Sequence, residues 1–393
     1  MALESSERTQ VMSGTLSEQR DLTRLQRLVA LDLMRGLVMV LMAIDHSSDA
    51  FNGGRVFGDS TAFYHPGSPL PTAQFLTRWI THLCAPTFLF LAGAGLAFSV
   101  KKQLAQGKTE RQVDAFMLTR GILIAAFELW ISYFVMPKGK YLFQVLYGIG
   151  SSYVLMVPLR RLGAKTALIA SVVLMLGLEL AVNSLGGVME PHAPLLATLL
   201  LLGGSPGPLI VAYPTLHWLS LMLLGWAFGN HLIARPPSPV ELSRKLVTVG
   251  LLLFVGFVLI RGLNGYGNMG LLRESLSLVQ WLHVSKYPPS LSYYTLELSL
   301  CCFGLAAFTS LFSGKRAPSR NNVLLVLGQT PMFFYLLHFP LLIESAERLH
   351  LEKKLGLGGA YLGAAIVVAL LYPACRAYRT YKAAHKHGWT RYV

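Results

Sequence analysis

The run LVALDLMRGLVMVLMAIDH, Leu28–His46, decides how this chain is read. At ~1.5 Å per residue it is long enough, as a helix, to cross most of a ~30 Å hydrocarbon core. It nevertheless carries Asp32 and Arg35 near its start and Asp45 and His46 at its end. Residues three apart share a helical face, so Asp32 and Arg35 can pair. Adjacent residues point about 100° apart, so Asp45 and His46 cannot both face one neighbour squarely. The span it forms is expected near 27–48, and comparable apolar stretches follow near 73–99, 114–136, 141–158, 166–186, 211–233, 246–263, 291–312, 323–343 and 359–378. The expected fold is therefore all-α, a polytopic membrane bundle of about ten transmembrane helices. The apolar run Ala193–Leu202 is too short to cross and leads into Gly203-Gly204-Ser205-Pro206-Gly207-Pro208, which predicts a re-entrant or interfacial segment. A polar tail over 1–26, one membrane domain over 27–378 and a basic tail over 379–393 complete the expected organisation.

Composition agrees. Of 393 residues 53% are apolar and 13% charged, with mean hydropathy +0.50, far from the roughly 25% charge of a soluble domain. The net charge of +15 does not indicate a nucleic-acid partner, because its placement follows the positive-inside rule. Arg24, Arg27, Lys101, Lys102, Arg160, Arg161, Arg244, Lys245, Arg376 and Arg379 collect in alternate connections. The other connections carry fewer, such as Arg55, Lys138, Lys140 and Lys353. This bias predicts both termini in the cytoplasm. The first 26 residues lack the apolar core of a cleavable signal, so the first span should direct insertion. The four cysteines show no C-x-x-C or Cys/His spacing, and no His/Asp/Glu/Cys set has ligand spacing, so neither a disulfide framework nor a metal is expected.

Charge inside a span costs about 2.5–3.5 kcal/mol at the helix centre, so each such residue asks for a partner, a cavity or a function. One set falls in the cytoplasmic half: Asp32, Arg35, Arg120 and, deeper, Glu128. It reads either as ion pairing that locks helices together or as Arg35 and Arg120 holding a phosphorylated ligand, since a guanidinium matches phosphate oxygens as a fork. A second set falls in the outer half: Asp45, His46, Arg78, His82, Glu297 and His338. A neutral imidazole can take a proton from an attacking hydroxyl or amine, or attack an acyl carbon itself. Either role needs an orienting carboxylate, for which Asp45 and Glu297 are the candidates. His338 lies in Gly328-Gln329-Thr330-Pro331-Met332-Phe333-Phe334-Tyr335-Leu336-Leu337-His338, where Gly and Pro weaken backbone hydrogen bonding. That stretch is either a ligand-admitting break or a kink with a packed aromatic face. The long segment Asn264–Ser290 is expected along the outer surface as a lid or capping helix, ending in Lys286-Tyr287-Pro288-Pro289-Ser290. Lys286 and Tyr287 there could select a sugar or lipid head group.

Leu31-Asp32-Leu33-Met34-Arg35-Gly36, Asp45-His46, Ala85-Pro86-Thr87-Phe88-Leu89-Phe90-Leu91-Ala92-Gly93, Gln144-Val145-Leu146-Tyr147-Gly148-Ile149-Gly150, Lys286-Tyr287-Pro288-Pro289-Ser290 and Gly328…His338 together resemble bacterial members of the heparan-α-glucosaminide N-acetyltransferase-like family. The resemblance spans about residues 25 to 345. It implies an acetyl-CoA or other acyl-CoA donor on the cytoplasmic side, a glycan or lipid-linked amino-sugar acceptor on the other, a place in the bacterial inner membrane, and a histidine that takes part in transfer. The Arg35-Gly36…His46 spacing is also similar to the first span of acyltransferase-3 proteins, where a histidine at that position is regarded as catalytic, and this role carries to His46. In the lysosomal enzyme the active histidine is held to lie in the loop after the first span, where this chain offers His65, so His46 and His65 are rivals. A homodimer is allowed for. The alternative from another class is a transporter or flippase for an anionic or lipid-linked sugar, using the same intramembrane Arg and His groups.

Overall fold

The apolar stretches fold as helices in the computed structural model, which describes residues 29–312, 317–385, 388, 390 and 392. The expected tail 1–26 lies outside them. Helix α1 covers 29–51. Helix α2 (Thr72–Ile80) runs through a 3-10 turn, Thr81–Leu83, into α3 (Cys84–Ala105). Then come α4 (Glu110–Val135), α5 (Val145–Leu159) and α6 (Ala164–Ser184). The expected re-entrant piece is α7 (Leu195–Ala197), which continues as a π turn over Thr198–Leu202. Strand β2 (Leu209–Val211) follows it and pairs in parallel with β1 (Tyr141–Phe143), Leu142 opposite Ile210. The remainder is α8 (Thr215–Ala234), α9 (Pro239–Leu263), α10 (Leu278–Leu282), α11 (Leu291–Leu311), α12 (Val323–Gln329), α13 (Pro331–Arg348) and α14 (Leu357–Ala384).

Side-chain caps set several helix starts. Thr109 and Gln112 form a capping box on α4, and Ser238, Ser290 and Asn322 cap α9, α11 and α12. Among the described residues six helices are long and apolar enough to cross a membrane, or seven when α12 and α13, bent by 98° at their break, count as one span. Helix α5, at 15 residues, is shorter than a full crossing. Helix α8 is buried over most of its length, packed on α3, with Trp218, Leu221 and Met222 fully covered. The outward faces of α6 and α9 expose Ile169, Val173, Leu180, Leu251, Leu252, Val255 and Leu259. Helices apolar all round, with exposed aliphatic outer faces, fit lipid and not water. The chain is an all-α polytopic membrane protein.

Two glycines fix how α12 meets α1. A Cβ on Gly36 would lie 1.8 Å from the Leu324 carbonyl oxygen, and one on Gly328 would lie 1.8 Å from that of Asp32. No side chain fits either gap, so backbone lies on backbone. The Arg35-Gly36 pair therefore serves packing through its glycine, and the crossing brings Gln329 to Asp32.

The far-face segment 264–290 differs from a surface lid. Its first part does lie outside, with Leu272, Leu276 and Leu278 exposed. The stretch His283–Ser290 is buried at every residue and has no regular helix or strand. It enters the bundle. The cause is Arg261 at the end of α9, fully buried, which donates to Asn268 Oδ1 (2.7 Å) and to the carbonyls of Gln280 (2.6 Å), His283 (2.8 Å), Leu271 (2.9 Å) and Trp281 (3.2 Å). A guanidinium with its donors met this way satisfies carbonyls that an irregular chain cannot pair by itself.

Candidate active site

Helix α1 carries charge at both ends, and each end opens on a cavity. The larger, of about 390 Å³, lies where α1 begins and is lined by Asp32, Arg35, Arg120, Gln329, Tyr378 and Lys382 among others. Arg35 donates to Asp32 Oδ1 at 2.8 Å and to the Leu91 carbonyl at 3.0 Å, while Gln329 Nε2 donates to Asp32 Oδ2 at 3.2 Å. The Asp32–Arg35 pair is thus made within one helix, with α3 and α12 tied to it. The Arg120 guanidinium lies 5.6 Å from the Tyr153 ring centre, and its Nε has no acceptor among the described residues. Helix α14 continues past 378 to Ala384 because nothing from Arg376 to His385 breaks a helix, and Lys382 reaches the cavity wall. Arg35, Arg120 and Lys382 against Asp32 leave this end positive. Lys382 was readable from the absence of Gly and Pro in that stretch, yet the sequence alone assigns it to a tail. Glu128 takes a different part: its Oε2 accepts from the backbone N–H of Gln144 (3.2 Å) and Tyr147 (2.8 Å), capping α5 from outside.

The smaller cavity, about 50 Å³, lies where α1 ends and is lined by Asp45, His46, Gln144, Lys286, Tyr287 and Tyr335 among others. Phe88, Val145 and Tyr335 line both cavities. They form a common wall. Along α1, Arg35 and His46 are about 16 Å apart at ~1.5 Å per residue.

His46 Nδ1 lies 2.8 Å from His338 Nε2. His338 is fully buried, and its Nδ1 lies 3.0 Å from the carbonyls of both Phe334 and Tyr335. Carbonyls only accept, so the network assigns the His338 proton to Nδ1 and leaves its Nε2 as an acceptor. His46 Nδ1 must then donate. The free lone pair of His46 falls on Nε2, while Phe339 stacks on the same ring at 3.9 Å between centroids. Tyr335, His338 and Phe339 share one face of α13 by their spacing of three and four. Pro340 has no N–H to give Leu336, and the Trp130 indole fills that place, donating to the Leu336 carbonyl at 3.1 Å.

The expected orienting carboxylates do not hold His46. Arg78 Nη1 bridges both oxygens of Asp45 at 2.7 Å, and Arg55 reaches Asp45 Oδ1 at 2.9 Å. Glu297 is fully buried, and neither of its oxygens has a hydrogen-bond partner among the described residues. An imidazole does the orienting, which carboxylate-based reasoning could not nominate. Arg78 also donates through Nε to Asp59 Oδ2 at 2.8 Å and through Nη2 to the Tyr287 hydroxyl at 3.2 Å. The Asp59 carbonyl accepts from the backbone N–H of Lys286 (2.8 Å) and Tyr287 (3.2 Å). Burial alone would raise the Asp59 carboxyl, but Arg78 and His82 beside it hold it well below the usual carboxylate range. This salt-bridged corner fastens the buried stretch 283–290 beside His46. Lys286 is 3% exposed, its ammonium 5.2 Å from the Tyr287 ring centre. His65 lies in an exposed turn and lines neither cavity.

Fold and site together define an integral membrane protein with a histidine beside a wall shared by cavities from opposite ends of its first helix. The family described as heparan-alpha-glucosaminide N-acetyltransferase, catalytic, matches residues 27–260, more than half of the chain, and the chain belongs to that family. It is a membrane acetyltransferase by that membership. The match covers His46 and the positive cavity's Asp32, Arg35 and Arg120, and ends before Lys286, Tyr287, Glu297, Tyr335 and His338. No curated protein matches the chain.

Proposed function

We propose that the protein transfers an acetyl or other short acyl group from acyl-CoA, bound in the larger cavity, to an amino-sugar or glycan acceptor that reaches His46 from the other face. The phosphates of the donor suit Arg35, Arg120 and Lys382, since guanidinium and phosphate match as forks and a lysine adds a point charge. The thioester then lies near the wall of Phe88, Val145 and Tyr335. His46 Nε2 either accepts the proton of the attacking amine or hydroxyl or takes the acyl group first. Lys286 and Tyr287 contact the acceptor, and Asp45 acts by holding Arg78 and Arg55 in place. The basic-residue bias supports a cytoplasmic donor side with both termini there, in a bacterial inner membrane. The observation that carries the reading is the lone pair of His46, held by His338 in a chamber that shares a wall with the positive cavity.

The test uses purified protein, radiolabelled acetyl-CoA and a panel of glucosamine-terminated and hydroxyl-only acceptors. His46→Ala should abolish transfer with thermal unfolding unchanged, and His65→Ala should retain it. Full activity in His46→Ala would sink the assignment. Sugar movement into vesicles without any CoA-dependent product would favour the transporter or flippase instead.

A further inference from the structure

We infer that Tyr335 is a catalytic residue whose hydroxyl stabilises the oxyanion formed on the thioester carbonyl. The inference rests on the acyl-transfer reading above and adds a group to it. Tyr335 is 5% exposed, yet its hydroxyl has no hydrogen-bond partner among the described residues. Buried donors are almost always paired, and an orphan at a functional site asks what it is kept for. This one lies where a carbonyl delivered from the donor cavity toward His46 would pass, for Tyr335 lines both cavities. Lys286 and Gln144, whose amide Nε2 is also without a partner among the described residues, line the small cavity alone. The Tyr335 ring meets His46 edge-on, with centroids 6.1 Å apart and planes at 76°. One turn further along α13, His338 orients His46, so a single rigid face carries both the phenol and the imidazole that fixes the base.

The step balances as follows. The acceptor's nitrogen or oxygen lone pair bonds to the thioester carbon, its proton passes to His46 Nε2, and the carbonyl π pair moves onto oxygen. The tetrahedral species collapses, the C=O bond re-forms, and the C–S bond breaks with its electron pair leaving on the CoA sulfur. That sulfur takes the proton from His46. Negative charge grows on the carbonyl oxygen in a site screened from water, where a fixed donor has its greatest effect. Should His46 attack first, the same oxyanion forms twice, and the phenol serves both times.

Tyr335→Phe removes the hydroxyl alone. Loss of one oxyanion donor lowers kcat about 100- to 1000-fold, while KM for acetyl-CoA and binding of a thioether analogue that keeps the carbonyl should stay within about twofold. Since the hydroxyl has no partner to lose, the melting temperature should hold or rise. A kcat within threefold of wild type overturns the inference, and so does a fall in melting temperature and analogue binding that tracks the lost activity. A wild-type protein that transfers no acyl group from CoA removes the underlying reading, whereas an active wild type with an equally active Tyr335→Phe removes this inference alone.

Discussion

The His338 imidazole uses both nitrogens on fixing its surroundings, Nδ1 on the carbonyls of Phe334 and Tyr335 and Nε2 on His46. Phenylalanine at 338 would keep the stack with Phe334, now 4.9 Å between centroids, but remove the acceptor for His46. His46 could then turn its proton to Nε2 and offer no base. His338→Phe should therefore cut kcat by about 10²- to 10⁴-fold, the range a positioned base supplies, with acyl-CoA binding intact by calorimetry. Arg120 makes the opposite prediction. Its guanidinium lines the donor cavity and not the one at His46, so Arg120→Ala should raise KM for acyl-CoA about tenfold or more, ~1.4 kcal/mol per factor of ten, and leave kcat in place. Such a split, read by steady-state kinetics, distinguishes donor binding from a role in the reaction.

At the scale of elements, the crossing of α1 and α12 is the joint on which the donor cavity hangs. Gly36→Ala would drive a methyl into the Leu324 carbonyl, and overpacking costs about 1–3 kcal/mol or more. Because backbone cannot turn aside as a side chain does, the upper end is expected, measured as a drop in thermal unfolding temperature in detergent. Wild-type stability in that variant would disprove the contact. The helices themselves were largely legible: apolar length placed ten segments, and a helix or bent pair overlaps each, but among the described residues only six or seven are long and apolar enough to cross, and 141–158 is strand β1 followed by the short α5. What the sequence hid was direction. Asp45 adjoins His46 in the chain yet points to Arg78, while His338, nearly three hundred residues away, takes the imidazole. The far-face segment hid its burial for a similar reason, since Lys286 and Ser290 look like surface residues until Arg261 is seen to satisfy the chain around them. Removing that donor set by Arg261→Met should cost about 3 kcal/mol or more, since hydrogen bonds to charged groups are worth about 1.5–3 each. Faster hydrogen exchange over 264–290 should report it.

Across the whole molecule, the two ends answer acid differently. The far face is capped by groups outside the spans whose titration favours the folded state only above certain pH values. Burial between Tyr64 and Phe75 lowers the His283 imidazole, with Arg261 lowering it further and the Gly58 carbonyl, Asp59 and Glu274 opposing. A histidine lowered in the folded state binds its proton more readily when unfolded, at about 6.5. Its contribution is complete above that pH and is lost as pH falls from there toward the folded value. Asp59, also lowered, contributes fully above about 4 and fails only in stronger acid. Mild acidification should therefore loosen 283–290 through His283 first, while the Asp59 corner still holds. The donor cavity, built on α1, α3, α4, α5, α12, α13 and α14, contains no residue of that stretch. Between pH 7.5 and 5.5, hydrogen exchange corrected for its intrinsic rate should speed up over 283–290 and stay constant in α3 and α8. Over the same range KM for the acceptor should rise while the dissociation constant of acyl-CoA stays level, because Lys286 and Tyr287 ride on the loosened stretch. His283→Asn should flatten both responses. If the wild-type cap keeps equal protection at both pH values, or if donor and acceptor binding weaken together, the two faces are not independently held.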